Sequence, residues 1–177
     1  MTDGWRSVVA TLTAITATGL TLGVAMGVAW WLLTPPEAWV RIDGGLGAES
    51  LSSSGWFASD GWFLLLGAAA GVCLTAVTWV WVRRRPITGV IGLVAAAALV
   101  AVVAWSVGGM LGPPDLASIS DALAIGATAD GPLGLRAMGV LGAPMVTALA
   151  LVALLLALAP VTDDSTWGRS DLAPALG

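Results

Sequence analysis

Residues 87–111 read ITGVIGLVAAAALVAVVAWSVGGML, and none of these 25 side chains is charged. A helix of roughly 20 apolar residues crosses about 30 Å of hydrocarbon, so this stretch is long enough to span a membrane. Three more uncharged runs lie at residues 8–33, 61–82 and 137–161. The sequence therefore predicts an all-α membrane protein in which a single domain, residues 1–162, contains four transmembrane helices.

The composition agrees with a membrane protein and narrows the chemistry. Hydrophobic residues make up 58% of the 177 positions and charged residues 10%, with a net charge of −4. Histidine is absent, which removes the imidazole base and the ordinary zinc site. The acidic balance argues against a nucleic-acid partner, and the single cysteine, Cys73, has no partner for an intramolecular disulfide. We expect a protein that is not an enzyme, with no catalytic residues, no cofactor and no metal site.

The arginines predict one orientation in the plasma membrane. With a cytoplasmic N-terminus, two arginines lie outside and five lie inside, which fits the positive-inside rule. The outer two are Arg41 and Arg136, and the inner five are Arg6, Arg83, Arg84, Arg85 and Arg169. Both termini are then cytoplasmic, and residues 163–177, rich in Asp and Ser, are predicted to be a disordered cytoplasmic tail.

The tryptophans support the same orientation, because indole rings prefer the interfaces of a membrane. An inner belt would contain Trp5, Trp79 and Trp81, and an outer belt Trp30, Trp31, Trp62 and Trp105. Between the second and third spans, Arg83-Arg84-Arg85 marks a tight cytoplasmic turn. These three arginines set the topology, and they could also hold anionic lipid headgroups.

Two loops outside the spans, residues 34–60 and 112–136, are long enough for a small extracytoplasmic cap. Alternation over residues 39–43 before Gly44-Gly45 predicts a short hairpin. The spacing of Leu116, Ile119 and Leu123 predicts a short surface helix in the second loop. Seven carboxylates and two arginines make the cap acidic, without the ligand spacing of a known metal site.

Four cap residues form a candidate polar cluster: Arg41, Asp43, Asp60 and Arg136. Asp60 precedes the second span, where its carboxylate is expected to cap the free N–H groups of that helix. Arg136 precedes the fourth span and is expected to pair with Asp43 or Asp60, or to touch lipid phosphate.

Small residues recur at four-residue spacing in two spans. Gly19, Gly23 and Gly27 form one row, and Gly67 and Gly71, followed by Thr75, form another. Such rows let helix backbones approach closely. The rows predict packing either within one chain or against a second copy or partner. Pro144 is expected to kink the fourth span.

The order of segments resembles a family of small actinobacterial four-helix integral membrane proteins that is known only as a domain of unknown function. The resemblance is carried by Ile42-Asp43-Gly44-Gly45, Ala58-Ser59-Asp60-Gly61-Trp62-Phe63, Arg83-Arg84-Arg85, Ala104-Trp105, Gly126-Ala127 and Leu135-Arg136-Ala137. Ser106 departs from it, because a basic residue is expected after Ala104-Trp105 in that family. The resemblance implies the four-helix fold and no activity.

Three functions are compatible with these patterns. The first is a non-catalytic accessory or scaffold component of the bacterial cell envelope, whose partners are membrane lipid and another membrane protein or a second copy of the chain. The second is a small oligomeric transporter or channel lined by the threonine-rich first span. The third is a membrane enzyme acting on lipid-linked substrates through Asp43, Asp60 and Arg136, which the scattered carboxylates support least.

Overall fold

A computed structural model describes residues 2–43, 45–48, 53–113 and 123–159. Its long helices are α1 (Thr2–Leu33), α2 (Ser53–Arg84), α3 (Pro86–Leu111) and α4 (Ala143–Ala157), and a 3₁₀ helix, Met138–Gly142, leads directly into α4. Four helical segments, the last including the 3₁₀ turn, are long and apolar enough to cross a membrane. The predicted fold class is confirmed, and the chain is a multi-pass membrane protein. The predicted surface helix and the C-terminal tail lie outside the described residues.

The helices associate in two close pairs, and the two helices of each pair run parallel, because the contacts of Gly19, Gly23 and Gly27 advance along α3 in the same order. In the first pair α1 lies on α3, and in the second α2 lies on α4. The interior has two apolar clusters. Leu74, Leu93 and Ala97 are fully buried in the cluster toward the arginine turn, and Trp30 and Phe63 are fully buried in the cluster toward the cap.

Three short strands form the described part of the cap: β1 (Ala38–Ile42), β2 (Gly45–Ala48) and β3 (Thr128–Asp130). They build an antiparallel sheet in the order β2-β1-β3, with Ile42 opposite Gly45 at the turn between the first two strands. Gly126 precedes β3 with a φ of 86°, a conformation that glycine adopts without strain, and its N–H donates to the Arg41 carbonyl. The sheet therefore joins the two loops into one cap.

Two helix starts differ from the predicted spans. Helix α2 begins at Ser53, eight residues before the uncharged run that begins at Gly61. The fourth span begins as a 3₁₀ helix, and Pro144 lies in the first turn of α4 instead of interrupting a continuous helix. Proline is favoured in a first turn because no intrahelical partner is needed there for the missing N–H group.

Candidate functional site

Polar contacts gather where the cap meets the helices. Three pieces of chain converge there: the segment that follows α1, the second turn of α2, and residues 131–137 before the fourth span. The contacts link residues up to 99 positions apart in the sequence. We call this region the cap junction.

Trp30 anchors the cap junction from inside the helix bundle. Its ring is fully buried, meets Phe63 edge to face at 5.1 Å between centroids, and donates from Nε1 to the Ser59 carbonyl at 3.0 Å. Gly108 of α3 faces the ring so closely that a Cβ there would overlap it. The ring of Trp30 lies in the core and faces other helices, whereas the adjacent Trp31 is 39% exposed. The predicted depth of Trp30 at the outer interface stays a prediction.

Asp60 caps the start of the fourth span and not the start of its own helix. Its Oδ1 accepts from the Arg136 N–H at 3.1 Å and its Oδ2 accepts from the Ala137 N–H at 3.0 Å. The predicted capping of α2 is wrong because α2 begins at Ser53, which places Asp60 inside the helix. Residues 136 and 137 precede the 3₁₀ helix, where backbone N–H groups lack intrahelical acceptors.

Replacing Asp60 with alanine is expected to lower the free energy of unfolding by about 2 kcal/mol, because two backbone N–H groups lose a charged acceptor. Asp43→Ala is the matched control, since Asp43 lies exposed in the β1–β2 turn. Denaturation of both variants in detergent, followed by tryptophan fluorescence, provides the comparison. Equal stabilities for the two variants would contradict the capping role.

Arg136 pairs with a carboxylate that the predicted cluster omits. Its Nη2 lies 3.0 Å from Oε2 of Glu37, with the two side chains 48% and 28% exposed. Within the predicted cluster, the Asp60 carboxylate contacts the backbone N–H group of Arg136 and not its guanidinium. Arg41 lies in β1 and Asp43 in the following turn. An exposed pair of this kind contributes at most about 1 kcal/mol, so its main effect is to hold residues 131–137 against the chain that follows α1.

A cavity of about 300 Å³ opens beside this ion pair. Its wall includes Trp31 and Thr34 at the end of α1, Glu37, Asp130 and Arg136. Sequence reasoning missed Thr34, Glu37 and Asp130 as a group, because they come together only when β3 pairs with β1. Glu37 directly precedes β1 and Asp130 is the last residue of β3, so no local signal in the sequence joins them.

The glycine rows lie in contacts within the chain. A Cβ at Gly23 would be 2.8 Å from Val103 Cβ, and a Cβ at Gly27 would be 2.7 Å from the Ala104 carbonyl oxygen. The remaining three glycines are Gly19, which faces Ala96 of α3, and Gly67 and Gly71, which face Pro144 of α4. These faces bring backbone against backbone, and each is occupied by a helix of the same chain.

The arginine turn lies at the opposite end of the molecule. Arg83, Arg84 and Arg85 are all exposed, and the Arg83 guanidinium carbon lies 6.0 Å from the centroid of the Trp79 ring. A cation over an indole face is a favourable contact of about 0.5–1 kcal/mol at an exposed site. The geometry keeps three positive charges on one surface.

Among the residues that the structure describes, no group of three His, Cys, Asp or Glu side chains could hold a metal ion. Comparisons with protein-family models, curated proteins and solved structures find no match. The resemblance to the actinobacterial four-helix family therefore stays a prediction. Ser106 is the position at which the sequence departs from that family. Its hydroxyl is exposed and donates to the Val102 carbonyl of its own helix at 2.8 Å.

Proposed function

We propose that this protein is a non-catalytic accessory or scaffold component of the bacterial cell envelope, which presents its cap to a membrane-protein partner. The observation that carries the proposal is that the polar contacts and the apolar packing lie in different parts of the molecule. Polar contacts concentrate in the cap junction, whereas the space between the helices is filled by apolar side chains such as Leu93, Val100 and Ala104.

The helix faces support the same function. Both glycine rows are covered by helices of the same chain, so they contribute to the stability of the fold and are closed to a partner. The buried hydroxyls of Thr75 and Thr78 donate within α2, to the carbonyls of Gly71 and Leu74. A single chain thus has a packed interior, and the cap is left as the polar surface available for recognition.

The cap is proposed to face the outside of the plasma membrane, with both termini in the cytoplasm. The arginine turn then lies on the cytoplasmic side, as the positive-inside rule favours. Single cysteines in a Cys73→Ala background test this orientation in intact cells. Asp43→Cys is expected to react with a membrane-impermeant maleimide and Arg84→Cys only after lysis, and the reverse pattern would contradict the orientation.

Crosslinking in native membranes, affinity purification and mass spectrometry test the accessory function. We expect one foreign membrane protein at a constant ratio to the chain. Ile125→Arg, a change at a cap side chain that is 73% exposed, is expected to lose this protein. Ile87→Arg, at a side chain 78% exposed beside the arginine turn, is the matched control and should retain it. Recovery of copies of this chain alone would overturn the proposal.

An oligomeric transporter or channel is the second candidate, favoured by one face of α1. The side chains of Thr13, Thr16 and Thr21 are exposed on the outside of the helix bundle, where a ring of copies could bring them together. Ion or solute flux into liposomes containing the purified protein, reduced by Thr16→Val, would establish this function. The third hypothesis, an enzyme, loses support because the Asp60 carboxylate already accepts two backbone N–H groups.

A further inference from the structure

The cavity at the cap junction has a wall that suits a small organic group. Trp31 and four prolines, Pro35, Pro36, Pro113 and Pro132, contribute flat or compact rings to it. Its volume of about 300 Å³ is at the small end of the range of ligand pockets, which accommodates a headgroup or a small metabolite and not a whole lipid. An indole face attracts organic cations.

The charges around the cavity favour a cation. Two carboxylates, Glu37 and Asp130, and one guanidinium, Arg136, contribute to its wall, which gives a net charge of −1. Glu37 already faces Arg136 at 3.0 Å. A bound monocation would restore neutrality beside Asp130, which is exposed.

Thr34 provides an independent sign of a ligand. It is only 9% exposed, and its Oγ1 is buried without a hydrogen-bond partner among the residues that the structure describes. Thr34 also forms part of the cavity wall. Buried hydroxyls are normally hydrogen-bonded, and one that is left without a partner costs stability. A ligand N–H group that reaches this oxygen from the cavity would give it a donor.

We infer that the cavity binds a primary organic ammonium group, held by the carboxylates of Asp130 and Glu37, the hydroxyl of Thr34 and the ring of Trp31. The ammonium group can come from two sources, the ethanolamine headgroup of a phospholipid or a soluble amine. The lipid source is within reach because Trp31 lies in the last turn of the first membrane span.

Two measurements on the purified full chain separate these sources. Native mass spectrometry compares retention of phosphatidylethanolamine with that of phosphatidylglycerol carrying the same acyl chains. Thermal denaturation in detergent compares ethanolamine with glycerol as additives. Preferential retention of phosphatidylethanolamine indicates the lipid source, and a melting temperature raised by ethanolamine alone indicates the soluble source. No preference in either measurement would overturn the inference.

Matched variants locate the binding. Asp130→Asn is expected to weaken amine binding by about tenfold through loss of one carboxylate charge, and the exposed cap residue Asp43→Asn should leave it unchanged. Thr34→Val keeps the shape of the side chain and is expected to weaken binding by about fivefold without lowering the melting temperature of the ligand-free protein. Equal effects of the Asp130 and Asp43 variants would overturn the site, since they would indicate a general effect of surface charge.

Discussion

A protein with Gly27 replaced by alanine is expected to be less stable than the wild type by about 3 kcal/mol. The new Cβ would lie 2.7 Å from the Ala104 carbonyl oxygen and 2.9 Å from Val107 Cβ. The first of these neighbours is backbone, which has no alternative rotamer, so α1 and α3 must move apart. Separation of these helices removes close contacts along the rest of the row, at Gly19 and Gly23, and close packing is a main source of helix association in lipid.

Gly109→Ala in α3 is the control for this prediction. Gly109 is also helical, and a Cβ there would have no neighbour within 4 Å. Alanine is favoured over glycine in a helix by about 1 kcal/mol, so Gly109→Ala is expected to be neutral or slightly stabilising. Unfolding in mixed micelles with increasing SDS, followed by circular dichroism, measures both variants. Similar midpoints for the Gly27 and Gly109 variants would contradict the close approach of α1 and α3.

Replacing Trp30 with alanine is expected to destabilise the protein by about 3 kcal/mol. The change leaves a cavity against Phe63 and Gly108 and removes the donor to the Ser59 carbonyl. The α2 turn containing Ser59 and Asp60 also holds residues 134–137, through the Ser59 hydroxyl and the Asp60 carboxylate. Loss of Trp30 should therefore loosen the cap junction as well as the helix bundle.

Trp31→Ala is the control at the adjacent position, and because Trp31 is 39% exposed its loss is expected to cost under about 1 kcal/mol. The SDS unfolding midpoint reports bundle stability, and hydrogen exchange of residues 131–137 reports the cap junction. Trp30→Ala should lower the midpoint and speed that exchange, whereas Trp31→Ala should do neither. Equal effects of the two variants would contradict the anchoring role of Trp30.

The membrane spans could be predicted from the sequence because the requirement for them is local. Any helix in lipid needs about 20 apolar residues in succession, and residues 86–111 satisfy this without reference to the rest of the chain. Which side of a helix is buried depends on the neighbouring helices and is not a local property of the sequence. Trp30 and Trp31 are adjacent in sequence but about 100° apart around α1, and the position of α3 decides which of them is buried.

The cap junction could be predicted only in part, because its contacts are long-range. Asp60 and Arg136 are recognisable as cap residues, but their contact spans 76 positions and depends on where residues 131–137 return to the bundle. Glu37 and Asp130 line the same cavity because β1 and β3 pair with Ala38 opposite Asp130. A three-residue strand such as β3 carries too little alternation to be predicted from its own sequence.

The proposed partner surface on the cap depends on the pairing of the helices within one chain, and disulfide trapping tests this pairing most directly. Gly67→Cys and Ala143→Cys in a Cys73→Ala background form a suitable pair, because a Cβ at Gly67 would lie 3.1 Å from Ala143 Cβ. The two Cβ atoms need to move apart only slightly to reach the roughly 3.5–4.5 Å separation that a disulfide requires. Mild oxidation in native membranes is expected to give a disulfide within monomeric chains. Disulfide-linked dimers, absent from either single-cysteine variant, would contradict the pairing of α2 with α4 in one chain.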